Sequence, residues 1–205
     1  GNGNWEETHQ LINAGTLDFN LGSGVNHNAS PSGTPNGITA TYEYDGTANA
    51  TATLGAANIQ DDFPGDPTDN SVSLELWLRP GDLSGNEVLF EFGGDTDGTS
   101  LTLSDDTLQF AVSDSSTSAG LSTTIGSDWT QAVGVLDLTN NEMLLYSNGV
   151  LEETIAYTPD EWAGTNGDGL GSTGGTEVGG GDAVDGFFGD LNGEGNFQGV
   201  IGMLR

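Results

Sequence analysis

The chain contains no cysteine and no lysine, and its two bases, Arg79 and Arg205, stand against 31 acidic residues. Without cysteine there is no disulfide framework, no thiolate zinc site and no cysteine nucleophile. At 205 residues a domain does not depend on disulfides, so their absence leaves an extracellular setting open. No apolar run approaches the roughly 18–20 residues that a membrane span needs. The N-terminus lacks a basic segment followed by an apolar one, the pattern of a secretory leader. The chain is therefore expected to be a mature protein or a module of a longer one, since it stops inside a strand-like run at Arg205. The formal charge of −29 repels nucleic acid phosphates and anionic membrane faces, so neither is expected as a partner. Its self-repulsion weakens as the Debye length falls from ~8 Å at physiological ionic strength to ~3 Å near 1 M. A saline or calcium-rich habitat suits such a surface, and so does plain acidic solubility.

What is present is turn chemistry. Glycine is abundant (34 residues), and Asn, Asp, Ser and Thr crowd between short apolar runs, the punctuation of tight turns. Residues 1–37 are polar, with one strand-like patch at Leu17–Leu21 and a long loop around Asn26–Asn36. From Ile38 to Arg205 the period-2 signal is steady. Thr39–Tyr44 leads into the Asp45-Gly46 turn, and Asn49–Leu54 follows. In Ser71–Arg79 the residues Val72, Leu74, Leu76 and Leu78 share one face, while Ser73, Glu75, Trp77 and Arg79 share the other, which predicts a strand buried on one side. Further strands are predicted at Glu87–Phe92, Ser100–Ser104, Thr107–Ser113, Leu121–Ile125, Trp129–Leu138, Glu142–Ser147, Val150–Tyr157 and Phe197–Leu204. Ser104–Thr107 reads as a tight hairpin, and Asn148-Gly149 as a type I′ hairpin turn. Residues 159–185 read as a glycine- and aspartate-rich loop region. About a dozen short strands, no helical period and no fixed repeat predict an all-β, antiparallel two-sheet sandwich in one domain over residues 1–205.

Four stretches, in this order, carry a family resemblance. Tyr42-Glu43-Tyr44-Asp45-Gly46 resembles the opening strand of laminin-G-like jelly-roll domains, and Ser71 to Pro80 resembles their central strand ending in Trp-x-x-Pro. Asp128-Trp129-Thr130-Gln131-Ala132-Val133, followed by Leu144-Leu145-Tyr146-Ser147-Asn148-Gly149-Val150, resembles their paired strands. Phe197 to Arg205 resembles their closing strand. The chain is thus similar to the laminin-G-like branch of the concanavalin A-like lectin and glucanase superfamily over residues 42–205, which implies the jelly roll. Trp77, Trp129 and Tyr146 are expected to fill the core or brace a sheet edge. The closing strand is expected to pair with the Tyr42 region and seal a sheet edge.

The same superfold hosts enzymes, and the residues oppose that reading. Retaining glucanases of this fold set two carboxyls about 5 Å apart from a Glu-x-Asp-x-Glu strand. Here Glu75 stands alone, and Glu87 and Glu91 are four apart with no Asp between. With one internal arginine and no lysine, the polyanion site of alginate-lyase relatives cannot be built. His9 and His27 lie in the polar N-terminal part, and no Gly-x-Ser-x-Gly elbow occurs. The expectation is a chain without catalytic activity.

The acidic loops suit a hard cation, because Ca²⁺ accepts carboxylate and carbonyl oxygens in flexible geometry. Asp61 to Asp69 carries four carboxylates, Asp61 and Asp66 among them, and Asp95-Thr96-Asp97-Gly98 precedes a strand. A third acidic loop runs from Asp182 to Asp185. The family resemblance implies rim calcium at Asp95 or Asp97; solvated turn aspartates are the simpler reading of each loop. For a glycan, Trp162 is the best stacking platform, with Asp168 and Asp182 as polar neighbours and Trp5 as second choice. The expected function is a carbohydrate- or protein-binding (adhesion) module with structural calcium, secreted or at a cell surface beside other domains of a parent chain. Its partner would be a carbohydrate or an extracellular protein. The alternatives are a structural spacer without a ligand and, less favoured by the residues, a polysaccharide hydrolase or lyase.

Overall fold

The computed structural model describes residues 4–5, 19–47, 52–54, 71–93, 98–113, 118–158, 169–170 and 195–204. In chain order the strands are β1 (Asn4–Trp5), β2 (Phe19–Leu21), β3 (Val25–Asn28), β4 (Thr41–Asp45), β5 (Ala52–Leu54), β6 (Val72–Pro80), β7 (Asn86–Gly93) and β8 (Gly98–Ser104). They continue with β9 (Thr107–Ser113), β10 (Ser118–Thr124), β11 (Thr130–Asp137), β12 (Glu142–Ser147), β13 (Val150–Ala156), β14 (Gly169–Leu170), β15 (Gly195–Asn196) and β16 (Gln198–Leu204). Among the described residues there is no helix. One sheet runs β1-β2-β5-β14-β7-β8-β9-β10, with β15 added to β7; the other is seven-stranded, β13-β12-β11-β6-β16-β4-β3. Every pairing is antiparallel except that of β15 with β7. The architecture is a two-sheet sandwich of the concanavalin A-like jelly-roll type.

Alternation explains why the seven-stranded sheet is amphipathic. β11 and β12 switch between buried and half-buried at every step. In β6, Leu76 and Leu78 are buried while Ser73 and Arg79 are exposed. Antiparallel pairing sets Ala132 opposite Leu76 and Thr130 opposite Leu78, so the small and large buried residues of neighbouring strands share one side. From the other sheet, Phe90, Leu101, Phe110 and Leu121 are successive cross-strand partners and form a matching apolar row. Each such leucine or phenylalanine contributes about 1.5–3 kcal/mol by leaving water.

Phe110 of one sheet reaches Gly134 of the other. A Cβ on Gly134 would lie 2.7 Å from the Phe110 ring, too close for any side chain. That close approach explains a glycine in the middle of a strand, where it otherwise costs packing and entropy.

Several sequence expectations shift. Residues 25–28, expected in a loop, form edge strand β3, whose polar sequence suits a border exposed to water. Within the stretch 159–185, residues 169–170 form β14, a bridge between β5 and β7. The closing strand does pair with Tyr42 and Tyr44, but it lies between β6 and β4 in the sheet interior and seals no edge. Asp45-Gly46 ends a strand of one sheet while β5 belongs to the other, so the turn starts a crossover between layers. There the Asp45 carboxylate accepts bonds from both the backbone N–H (2.9 Å) and the hydroxyl (2.7 Å) of Thr47. Asn148-Gly149 behaves as expected, with φ of 51° and 78°, the left-handed pair of a type I′ turn.

Overpacking at the sheet contact should be expensive. Gly134→Ala is expected to destabilise the fold by about 1–3 kcal/mol in a urea melt. An unchanged midpoint would show that the sheets do not meet as described.

Candidate functional site

The seven-stranded sheet turns its second face away from the core, and β6 and β11 furnish the centre of it. Glu75, Trp77 and Arg79 alternate with the buried leucines, and the register puts Gln131 opposite Trp77 and Val133 opposite Glu75. Glu75 organises this row. Its Oε1 accepts from Trp77 Nε1 at 2.7 Å and from Gln131 Nε2 at 2.7 Å, so the indole and the amide share one carboxylate oxygen. Charged acceptors make such bonds short and strong, and here they fix an aromatic plane on a half-buried surface. Beside it, the Arg79 guanidinium lies 5.5 Å from the Trp129 ring centroid, a cation–π contact. Tyr146, opposite Val133, and Met203, opposite Trp77, extend the surface and are half-buried.

The connection from β3 to β4 closes one end of this face. Ile38, 6% exposed, and Trp129 both crowd Gly202 of β16. That connection is internally braced, with Ile38 N–H donating to Pro35 O at 3.2 Å and the Thr34 hydroxyl donating to Ile38 O at 3.1 Å. Trp77, Trp129 and Tyr146 therefore belong to the outer face, not to the core or an edge as expected. The alternation in Ser71–Arg79 already separated Trp77 from the leucines; what it could not show was the bond to Gln131, 56 residues away.

Positions 87 and 91 of β7 do not fall on one face. Glu87 sits opposite Leu103, whereas position 91 sits opposite Ser100, because a bulge at Leu89 slips the register between them. Leu103 and Ser100 lie on opposite faces of β8, so residues 87 and 91 do too. Glu87 itself is 8% exposed. Its Oε1 accepts the Gln198 backbone N–H at 3.2 Å, tying the two sheets together, and its Oε2 is buried without a partner. Burial, with Asp82 nearby, pushes its pKa up to about 7, against the pull of the Gln198 bond. A perturbed acid is often a functional flag; this one is enclosed between sheets and serves as an inter-sheet tie. His27 is exposed on edge strand β3, against its register partner Tyr42, with ring centroids 5.1 Å apart. The residues Asp61, Asp66, Asp95, Asp97, Trp162, Asp168 and Asp182 all lie outside the described residues, as does His9. Among the described residues, no group of three or more acidic or histidine side chains is arranged to hold a metal.

The sandwich, its strand order and the family pattern agree with a direct match. A laminin-G family model, described as the concanavalin A-like lectin/glucanases superfamily, matches residues 45–192. The chain belongs to that superfamily. The concanavalin A-like match leaves out most of β4 and all of β16, yet those strands pair with each other. No curated protein sequence matches the chain. Among solved structures, the botulinum neurotoxin serotype G binding domain is similar with a TM-score of 0.59 at 12% identity, over 93% of this chain and 46% of that one. The CBM40 module of a Ruminococcus gnavus sialidase, bound to α2,3-sialyllactose, is similar with a TM-score of 0.50 at 15% identity, over 66% of this chain and 74% of that one. At such identities the likeness is one of fold, and the domain spans less than half of the toxin domain's length.

Glu87 gives this concanavalin A-like domain a pH signature. Its pKa is raised above the ordinary 4.5, so the folded state holds the proton longer than the unfolded chain. Stability from this group is full below about 4.5 and is lost as pH rises through about 7. The bonds to Asp45 and Asp137 lower those pKa values and act with the opposite sign, at more acidic pH. Glu87→Gln is expected to raise the melting temperature at pH 8 by about 2–4 °C and to change little at pH 4. Equal melting at both pH values would contradict the tie.

Proposed function

We propose that this domain is a non-catalytic recognition module for carbohydrate, secreted or displayed at a cell surface, and that its ligand lies across the outer face of the seven-stranded sheet. The observation that carries the reading is the Trp77 indole, held by the Glu75 carboxylate that also holds Gln131. A sugar presents C–H faces that pack on aromatic rings and hydroxyls that pair with planar polar groups, and this surface offers both kinds of contact side by side. The relation to the CBM40 module, a carbohydrate complex by its description, supports the ligand class. The relation to a toxin binding domain supports a recognition role in general. The bulged strand that separates residues 87 and 91 supports the absence of glycoside hydrolysis.

Calcium belongs to the proposal as a brace for the loops carrying Asp61, Asp66, Asp95 and Asp97. Those carboxylates have the hard-oxygen chemistry that calcium takes. No contact between metal and ligand is invoked.

A glycan panel read by calorimetry tests the reading. Trp77→Ala is expected to weaken binding about tenfold or more, as loss of a central aromatic anchor does, with the far-UV spectrum unchanged. Silence of the unaltered chain on the panel, with capture of a protein partner instead, would sink the carbohydrate assignment. For calcium, a melting temperature higher in millimolar Ca²⁺ than in EDTA is expected, and identical melts would remove the metal.

A further inference from the structure

Resting on the carbohydrate reading, we infer that Arg79 recognises an anionic substituent of the glycan, a carboxylate or a sulfate, beside the Trp77 platform. The chain has only two bases against 31 acids, and Arg79 is the one base among the described residues. In such a field a guanidinium would be expected to pair with a carboxylate. Among the described residues it pairs with none. The acids of neighbouring positions on its face are engaged elsewhere: Glu75 holds Trp77 and Gln131, and Glu43 accepts from Asn28 Nδ2 at 3.1 Å. Glu43 lies just two strands away, because Val200 is register partner to both Glu43 and Arg79. That spacing, about 10 Å, is within reach of two long side chains, yet among the described residues Arg79 makes only its contact with Trp129.

The result is an exposed fork of donors with its orientation set by an indole and its charge paired with no carboxylate among the described residues. A guanidinium binds a carboxylate or sulfate through two parallel hydrogen bonds, and prior orientation on an aromatic face reduces the entropy lost on binding. A single such fork holds one oxyanion. It does not make a track for a polyanion, which the −29 surface would reject. The ligand is accordingly a glycan with sparse acidic groups, whose neutral rings lie on Trp77 and whose one acidic substituent meets Arg79.

A role in covering Trp129 predicts the same static geometry, so the test separates the two. The chain is titrated with a uronate-bearing oligosaccharide, a sulfated one and a neutral one of the same length, alongside Arg79→Met, which keeps the stem over Trp129. Binding of an acidic ligand at least about tenfold tighter than the neutral one, abolished as a preference in Arg79→Met at unchanged melting temperature, is the expected result. Which acidic arm binds distinguishes carboxylate from sulfate. Equal binding of neutral and acidic ligands, insensitive to Arg79→Met, would overturn the inference and leave the carbohydrate reading standing. No binding of any arm would overturn both.

Discussion

The register of β6 against β11 is the constraint on which the rest depends. Antiparallel pairing of Leu78 with Thr130 and of Leu76 with Ala132 commits one side of both strands to the core. Trp77, Gln131, Glu75 and Val133 are then left on the other side with no further choice. A slip of one residue would exchange the faces, exposing the leucines and burying a glutamate and an arginine. Core and outer face are therefore two consequences of a single alignment. Gly134 adds a local lock, because its missing side chain lets the Phe110 ring of the opposite sheet come in.

Charge shapes what the surface can do. A chain so rich in carboxylates hardly holds anionic partners by its general field, so any acid it recognises must be met by a local, oriented cation. Its carboxylates serve instead as internal acceptors. Asp45 and Asp137 brace turns, Glu75 fixes an indole and an amide, and Glu87 and Glu153 tie one sheet to the other through the backbone N–H groups of Gln198 and Ser122. These carboxylates accept bonds that an Asn or Gln side-chain oxygen could accept elsewhere, so this part of the −29 is built into the fold.

Much of the fold is legible in the sequence because its signals are local. The alternation of Ser71–Arg79, the hairpin at Asn148-Gly149 and the pattern of the closing strand all fall within short windows. What escapes is non-local. The bulge at Leu89 arises from how β7 meets β8, and the crossover after Asp45 from which sheet each strand joins. The interior place of β16 depends on strands more than a hundred residues upstream. The candidate site escapes for the same reason: Glu75 reads as isolated until Gln131 is brought beside it. Trp77 is set apart from the leucines by alternation alone, but no local signal shows that Glu75 joins it to Gln131. The acidic loops drew attention by composition, a signal that marks solvated turns as readily as metal ligands.

The proposed recognition surface is the outer face of the seven-stranded sheet. Amide and indole chemical-shift changes during titration with an acidic oligosaccharide test it most directly. The largest changes are expected at Glu75, Trp77, Arg79, Trp129 and Gln131, with the buried row from Phe90 to Leu121 undisturbed. Changes centred on residues 61–69 or 95–97, with the sheet face silent, would contradict it.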